Sequence, residues 1–370
     1  MNNRNDNEIR EAQGARRVFT LLGFACAGLI ILNYGLNFAA LKLSASLSEK
    51  GLLPPGLFEE GTVSRLILVT VVGFFVAIPL AALAVRRLLP ASTPTERSGT
   101  AGLSAANYEL FCIAFTFAFI GSAAGSLFDA LLPNAASASG SAGMPRGAAG
   151  CAVYFAVIVL VIPAAEEYFF RKIMIDALLP WGDRTAILFS AVFSAFYHGN
   201  VTSIFTAFFE GLALGYLYVR TRKLLWPVAV RAGINLIAGF LPAVVITYLA
   251  DIEQVNSVSL RLAGLMAGFP RTAGELGAFL PELSDALPGI LSVNAVDALT
   301  GGIAFAGMVL LLSYVSRLRL SPGPRRLEGK EIGWTVFLSP GVLTFFVTSL
   351  VTILLSFFSA AGAGTGGDPL

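Results

Sequence analysis

One apolar stretch of the sequence, between positions 148 and 250, concentrates the residues that could carry out chemistry. Its polar set consists of Glu166, Glu167, Arg171, His198, Glu210, Arg231 and Asn235. A charge placed inside a membrane costs about 2.5 to 3.5 kcal/mol on insertion scales, so ionisable residues in such surroundings indicate a functional site. Carboxylates, one imidazole and a hydrogen-bond donor pair are suited to acid–base chemistry.

The two adjacent glutamates have different expected roles. Their side chains diverge by about 100° on a helix, so they cannot share one position. Glu167 precedes Arg171 by four residues, which is the favourable order for an ion pair on one helix face. We therefore expect Glu167 and Arg171 to form a clamp that leaves Glu166 without a partner on its helix, as a candidate base. In the alternative interpretation, both glutamates are helix-end residues that reach the membrane interface.

His198 is the only histidine of the chain and ends an apolar helical run. With Glu166 it could hold one water, the carboxylate taking a proton and the imidazole orienting the water before protonating the leaving amine. It could instead be a packed helix residue. Catalytic zinc usually has about three protein ligands, mostly histidine, cysteine or acid. A single histidine therefore disfavours zinc, and we predict no metal ligands and no required cofactor.

Arg231 and Asn235 are four residues apart on the next long helix, so both could donate hydrogen bonds to a developing oxyanion. Gly211 and Gly215 form a GxxxG pattern that would let this neighbourhood pack closely. Alternatively, Asn235 only links helices and Arg231 only pairs with Glu210. The sequence has no Gly-x-Ser-x-Gly elbow that would indicate an activated serine.

Composition places these residues in a membrane protein. The 370-residue chain is 56% hydrophobic and 13% charged, with a mean hydropathy of +0.76, whereas soluble domains are about a quarter charged. We predict an all-α bundle with eight or nine spans, a retained first span and no role in nucleic-acid binding. The predicted windows are Val18–Leu41, Val63–Val85, Glu109–Leu132, Ala148–Phe170, Thr185–His198, Ser203–Val219, Leu225–Leu249, Asp297–Ser316 and Trp334–Phe358. The fifth is too short to span alone and would be sheltered by its neighbours.

Basic residues alternate between the connections. One set of alternate loops, beginning with the amino terminus, holds 18 of the 25 lysines and arginines, and the opposite set holds 6. Cytoplasmic loops carry the excess, so we predict a cytoplasmic amino terminus in what would be a bacterial inner membrane. Nine crossings would place the carboxyl terminus outside, and eight would reverse it.

The expected organisation has four parts. Residues 1–147 would be amino-terminal transmembrane helices and 148–250 the chemical core. Residues 251–298 would be an extracytoplasmic loop, with or without a surface-lying helix, and 299–370 would be the last transmembrane helices. The three cysteines have no CxxC spacing and are interpreted as packing residues.

The core resembles the intramembrane family of CAAX proteases and bacteriocin-processing enzymes, which includes the Ras-converting type. Glu166–Arg171 looks like its EExxxR motif, and Ser190–His198 looks like its second motif. The similarity continues through His198–Asn200, Gly211–Gly215, Arg220–Thr221, Trp226–Pro227 and Arg231–Asn235. The resemblance implies an endopeptidase in which Glu166 and His198 activate water and the last motif supports the oxyanion. Its substrates would be membrane-associated, prenylated or secreted peptides, cut near the cytoplasmic face.

Two positions depart from this pattern. Ser194 replaces the usual phenylalanine, with Phe193 and Phe196 available to supply bulk, and Arg231 replaces a second histidine. A guanidinium does not exchange protons near neutral pH. The family is also labelled metalloprotease, which would make zinc possible. The alternative function is a non-catalytic scaffold, binding or bacteriocin-immunity protein. A transporter is disfavoured because no internal repeat is visible.

Overall fold

The computed structural model describes residues 2–59, 61–89, 105–131, 144–268, 273–324 and 336–363, and within these ranges it contains helices and no strand. The helices are α1 Asn2–Glu49, α2 Val63–Leu88, α3 Ala105–Leu131, α4 Ala148–Trp181, α5 Asp183–Tyr197, α6 Val201–Thr221, α7 Leu225–Leu249, α8 Ile252–Gly268, α9 Ala273–Tyr314 and α10 Pro340–Ala363. Seven of these are long and apolar enough to cross a membrane, in α1–α4, α6, α7 and α9. The predicted helical membrane bundle is confirmed.

The fifth predicted window forms a helix, α5, that is too short to cross a membrane alone. α5 has 15 residues, about 22 Å of rise, against a hydrocarbon core of about 30 Å. It packs against α6, α4, α1 and α10, and ten of its residues are buried. The sheltered helix expected from the sequence is therefore present.

The beginning of α5 is held by the connection that follows α9. The Asp183 amide donates to the Ser321 carbonyl at 3.1 Å, and the Ser321 amide donates to the Asp183 carboxylate at 2.7 Å. Gly182, with a φ of 100°, lies against this connection. These contacts fix the start of the helix whose other end carries His198.

Glycines allow the helices around the core to approach closely. A Cβ at Gly211 of α6 would lie 3.0 Å from the Cα of Ala191 in α5, and one at Gly215 would lie 3.2 Å from the Ile187 side chain. The close packing predicted for this GxxxG pattern is confirmed. A second pattern, Gly121 with Gly125 in α3, lies equally close to α6 and was not predicted.

In the segment expected to be a loop with or without a surface helix, residues 252–268 and 273–298 are helical. These residues form α8 and the first part of α9, which pack on each other. The predicted window Asp297–Ser316 therefore covers only the carboxyl-terminal part of α9. Pro281 and Pro288 lie inside this helix, and such residues suggested turns in the sequence.

Several sequence-based expectations fall outside the described residues. They concern most of the small-residue stretch 134–147, the basic residues Arg97, Arg271, Arg325, Arg326 and Lys330, and the tail from 364 to 370. The three cysteines are all free, and Cys26 is fully buried.

Candidate active site

The α4 helix supplies two carboxylates and one guanidinium to the site. Arg171 Nε donates to Glu167 Oε2 at 2.9 Å, and both side chains are completely buried. The predicted clamp is thus formed on one helix face. A guanidinium removed from water in this way needs such a partner, because an unpaired buried charge is strongly unfavourable.

Arg171 also connects α4 to α5. Its Nη1 donates to the Ser190 hydroxyl at 2.7 Å, and that hydroxyl donates to the Phe170 carbonyl at 2.7 Å. Ser190 lies two turns before His198 on the same helix. The clamp therefore sets the position of the histidine helix as well as that of Glu167.

His198 lies at the carboxyl end of α5, where the chain turns. The next residue, Gly199, has a φ of 67°, a left-handed conformation that glycine adopts without strain. A Cβ at Gly199 would also approach the Tyr34 hydroxyl to 2.8 Å. Asn200 then begins α6 by accepting a hydrogen bond from the Ser203 amide at 2.8 Å.

The hydrogen bonds of His198 define its tautomer. Nδ1 lies 2.7 Å from the Ser194 carbonyl, which can only accept, so Nδ1 carries a proton. In the neutral ring, Nε2 is therefore an acceptor, and it lies 3.9 Å from Glu166 Oε1. The imidazole side chain is 21% exposed, whereas that of Glu166 is 4% exposed. The approach to the pair is therefore from the side of His198.

Glu166 is not the unpartnered carboxylate that the sequence indicated. Nη2 of Arg231, from α7, lies in ion-pair contact with Glu166 Oε2, leaving Oε1 facing His198. The expectation considered only partners on α4, and the partner comes from another helix. Glu166 is nonetheless turned away from Arg171, as the divergence of adjacent helix residues requires.

Arg231 bridges three carboxylates. Besides Glu166, its Nη1 donates to Glu167 at 3.0 Å, and its Nε lies 3.9 Å from Glu210 Oε1. The interpretation that Arg231 pairs with Glu210 alone is therefore wrong, and the Glu210 contact is the longest of the three. The site brings together three carboxylates, two guanidiniums and one imidazole.

Asn235 does not point its amide at Glu166 and His198. It begins a π-helical turn, Asn235–Phe240, and its Nδ2 donates to the Ile158 carbonyl of α4 at 2.9 Å. In this arrangement Asn235 Nδ2 and the two terminal nitrogens of Arg231 contact protein acceptors, whereas Arg231 Nε has no hydrogen-bond partner among the described residues. Their role in stabilising an oxyanion stays a prediction.

The phenylalanines near Ser194 do not take the place of the phenylalanine that the family pattern has at this position. Phe193 stacks on Phe345 with ring centroids 4.6 Å apart, and Phe196 packs edge-on against Phe346, both in α10. The Ser194 side chain is completely buried, and its hydroxyl has no hydrogen-bond partner among the described residues. The two phenylalanines thus secure α10 rather than replace a phenylalanine at 194.

Sequence reasoning missed two residues, Tyr197 and Asn33, that lie near Glu166 and His198. Tyr197, adjacent to His198, packs its ring against Phe170 and accepts a hydrogen bond at 3.3 Å from Asn33 Nδ2 of α1. Asn33 is a polar residue within the apolar first span, and that was the available signal. The first helix therefore contributes to the wall of the site.

The residues present do not fit a zinc ion. Glu166 and His198 are the two side chains positioned as ligands, and catalytic zinc takes about three from the protein. No group of three histidine, cysteine, aspartate or glutamate residues suited to a metal occurs in the described part of the chain. The Arg231 guanidinium moreover occupies Glu166 Oε2, where it would repel a dication.

Comparison with known proteins finds a family match in the part of the chain that holds this site. Residues 148–237 match the family model described as type II CAAX prenyl endopeptidase Rce1-like. No curated protein and no solved structure matches the chain. The matched range runs from the start of α4 to two residues beyond Asn235. It therefore contains Glu166, Glu167, Arg171, His198, Glu210, Arg231 and Asn235. Residues 148–237 are therefore similar to the Rce1-like family of type II CAAX prenyl endopeptidases.

Proposed function

We propose that the protein is an intramembrane endopeptidase in which Glu166 and His198 activate water. The family match supports a protease of the CAAX type. The observation that carries the residue assignment is the separation of 3.9 Å between Glu166 Oε1 and His198 Nε2. This is too long for a direct hydrogen bond, and one water can lie within hydrogen-bond distance of both atoms.

Both atoms that face this position are acceptors, so a water there donates one proton to each. Its lone pairs are then directed at a peptide carbonyl that approaches from the exposed side of His198. Glu166 takes one proton as the water oxygen attacks the carbonyl carbon and the carbonyl electrons move to its oxygen. When the tetrahedral intermediate collapses, the carbon–nitrogen bond breaks, and the proton passes to the leaving amine. The other product is a carboxylic acid.

Arg231 positions the base in this scheme. Its contact with Glu166 Oε2 holds the carboxylate so that Oε1 faces the water. A neighbouring cation also favours the charged carboxylate and weakens it as a base. Catalysis therefore depends on His198 sharing the proton of the water.

The test is cleavage of a candidate peptide library by protein reconstituted in lipid, with products identified by mass spectrometry. Wild type should produce new termini that Glu166→Gln does not, and no metal should be needed. Lys172→Ala is the matched control, because Lys172 follows the clamp on the same helix and is exposed. Cleavage by Glu166→Gln at the wild-type rate would remove Glu166 from the mechanism.

The second candidate is a non-catalytic binding protein, and the ion pair of Arg231 with Glu166 favours it. A histidine at 231, as in the family pattern, would leave Glu166 without that permanent charge. If wild type cuts no peptide and Arg231→His gains cleavage, Arg231 silences the site, and the scaffold function replaces the peptidase. If wild type cleaves and Arg231→His does not improve it, this second candidate is excluded.

A further inference from the structure

A cavity of about 370 Å³, lined by both polar and apolar side chains, lies beside the cluster formed by Glu166, Glu167, Arg171, His198, Glu210 and Arg231, between α3, α6, α7 and α9. It is more than tenfold larger than the roughly 30 Å³ share of one water molecule in the liquid. Its polar lining consists of Ser122, Thr206, Glu210, Asn235, Asp297 and Thr300. Two carboxylates line it, and none of the described lining residues is a lysine or an arginine.

Glu210 is the buried charged group of this cavity. The residue is 5% exposed, and its carboxylate accepts no hydrogen bond from any residue that the structure describes. Its nearest cation, Arg231 Nε, lies 3.9 Å away, and the rest of that guanidinium contacts Glu166 and Glu167. Glu210 is therefore a carboxylate with spare acceptor capacity on the wall of a cavity.

The net charge of the cluster also favours a bound cation. Glu166, Glu167 and Glu210 are balanced by only two guanidiniums, those of Arg171 and Arg231. One negative charge is left over at ordinary protonation, in surroundings where an unbalanced charge is unfavourable. A singly charged cation in the cavity would neutralise it.

The other walls of the cavity decide which cation fits. Phe115, Phe119 and Ile234 present hydrocarbon and aromatic faces. Hard metal cations bind through about six oxygen ligands, which these walls do not supply. An alkylammonium group matches both the apolar and the polar side chains of the lining. Its hydrocarbon stem lies against the apolar side chains, and its charged head donates to carboxylate and amide oxygens. Asn235 has its Oδ1 available for this, since its Nδ2 is bonded to Ile158.

We infer that this cavity binds a primary alkylammonium group, namely a lysine side chain of the peptide substrate, with Glu210 as its counter-ion. The inference rests on the proposed function. Arg231 contacts both Glu210 and Glu166. A peptide residue advances at most about 3.3–3.6 Å along the chain, so a lysine within a few residues of the scissile bond reaches the cavity. Asp297 lies at the exposed part of the lining, and its negative charge attracts cations toward the cavity.

The first experiment measures binding without cleavage. Thermal unfolding of purified full-length protein is followed with n-butylammonium chloride, with n-butanol and with sodium chloride, at constant ionic strength. The expected result is a saturable rise in Tm with n-butylammonium alone. The rise should disappear in Glu210→Gln and in Thr206→Leu, which fills the cavity but keeps the carboxylate. It should persist in Asp285→Asn, an exposed acid of α9 away from the cavity.

Each other outcome overturns the assignment. An equal rise with n-butanol means that the cavity recognises hydrocarbon rather than charge. An equal rise with sodium chloride means an inorganic cation site. A rise that survives in both Glu210→Gln and Thr206→Leu places the binding elsewhere.

The second experiment compares cleavage of peptides that contain lysine with the same peptides containing norleucine, which keeps the stem and removes the charge. Wild type should prefer lysine by at least about tenfold in kcat/KM, and Glu210→Gln should lose this preference while still cleaving. Equal rates on both peptides overturn the lysine assignment. If no peptide is cut but n-butylammonium still binds through Glu210, the peptidase proposal fails, and the alkylammonium site stands alone.

Discussion

The guanidinium of Arg231 contacts the carboxylate of Glu166, so the candidate base and the residue that departs from the family pattern form one ion pair. The same guanidinium donates to Glu167 at 3.0 Å. Arg231 is thus part of the charge balance of the site, and replacing it affects stability as well as chemistry.

The first prediction concerns the clamp on α4. Glu167→Ala and Arg171→Ala should each destabilise the protein by several kcal/mol. Glu167→Ala leaves the fully buried Arg171 without a carboxylate partner, and Arg171→Ala leaves the fully buried Glu167 with Arg231 as its one remaining cation. Glu166→Gln should fold normally, since it removes the surplus negative charge of the cluster. Thermal unfolding in detergent measures the three variants. Lys172→Ala is the control and should change stability by less than about 1 kcal/mol, because its ion pair with Asp176 is exposed. Equal melting of Glu167→Ala, Arg171→Ala and the control would show that the clamp does not stabilise the fold.

The second prediction concerns the coupling of Arg231 with Glu210. Arg231→Gln leaves three carboxylates facing one guanidinium, and Glu210→Gln relieves part of that repulsion. A double-mutant cycle on unfolding free energies should therefore give a coupling of at least about 0.5 kcal/mol. The same cycle between Glu210 and exposed Arg220, near the carboxyl end of α6, should give additive effects. Additivity in both cycles would mean that the 3.9 Å contact carries no energy.

The third prediction concerns helix packing. Alanine is favoured over glycine within helices by about 1 kcal/mol, so Gly301→Ala, with no atom within 4 Å of the added Cβ, should be neutral or stabilising. Gly211→Ala should instead destabilise, because its Cβ would lie 3.0 Å from the Cα of Ala191. The unfolding temperatures of the two variants, each compared with wild type, measure these effects. A stabilised Gly211→Ala would contradict the close approach of α5 and α6.

The fourth prediction concerns topology. Because the sequence assigns 18 of its 25 basic residues to one set of alternate connections and their flanking helix ends, reporter fusions after Arg17, Arg97 and Arg222 should all lie in the cytoplasm. A fusion after Lys50 should lie on the opposite side and serves as the control. An external signal at Arg222 would reverse the orientation of the bundle.

The sequence could predict contacts that depend on one helix, and it could not predict those that depend on how helices are placed. Glu167 and Arg171 are four residues apart, so helix geometry alone brings them together. The contact of Arg231 with Glu166 needs α7 to lie against α4, and no local spacing specifies that. For the same reason, Asn235 could be placed on the face of Arg231, but its bond to Ile158 could not be predicted.

The helical segment 273–296 shows a different limit. Its prolines and glycines are ordinary signals of turns, yet Pro281 and Pro288 lie within a continuous helix. Neighbouring helices in a membrane can satisfy the backbone groups that a proline frees. A pattern learned from water-exposed chains therefore began this helix too late, at Asp297 instead of Ala273.

The last prediction concerns catalysis. If Glu166 and His198 hold one water between them, Glu166→Gln and His198→Ala should each abolish cleavage of a membrane-tethered peptide. The double variant should be no worse than either single variant, because residues that act as a unit are not additive. His198→Gln is an informative companion, since its amide can still hydrogen-bond a water but cannot take its proton. It should fold like wild type and remain inactive.

The same assay decides the metal question. The ligand set around Glu166 lacks the third side chain that zinc requires, and Arg231 occupies the second carboxylate oxygen. A strong zinc chelator should therefore leave wild-type cleavage unchanged, whereas Glu166→Gln should be inactive with and without added zinc. If chelation stops cleavage and zinc restores it, Glu166 and His198 are ligands and the metal-free mechanism is wrong. In that case Arg231 must leave Glu166 when the ion binds, and Arg231→Gln should tighten zinc binding measured by titration. Unchanged zinc affinity in that variant would show that the guanidinium does not compete for the carboxylate.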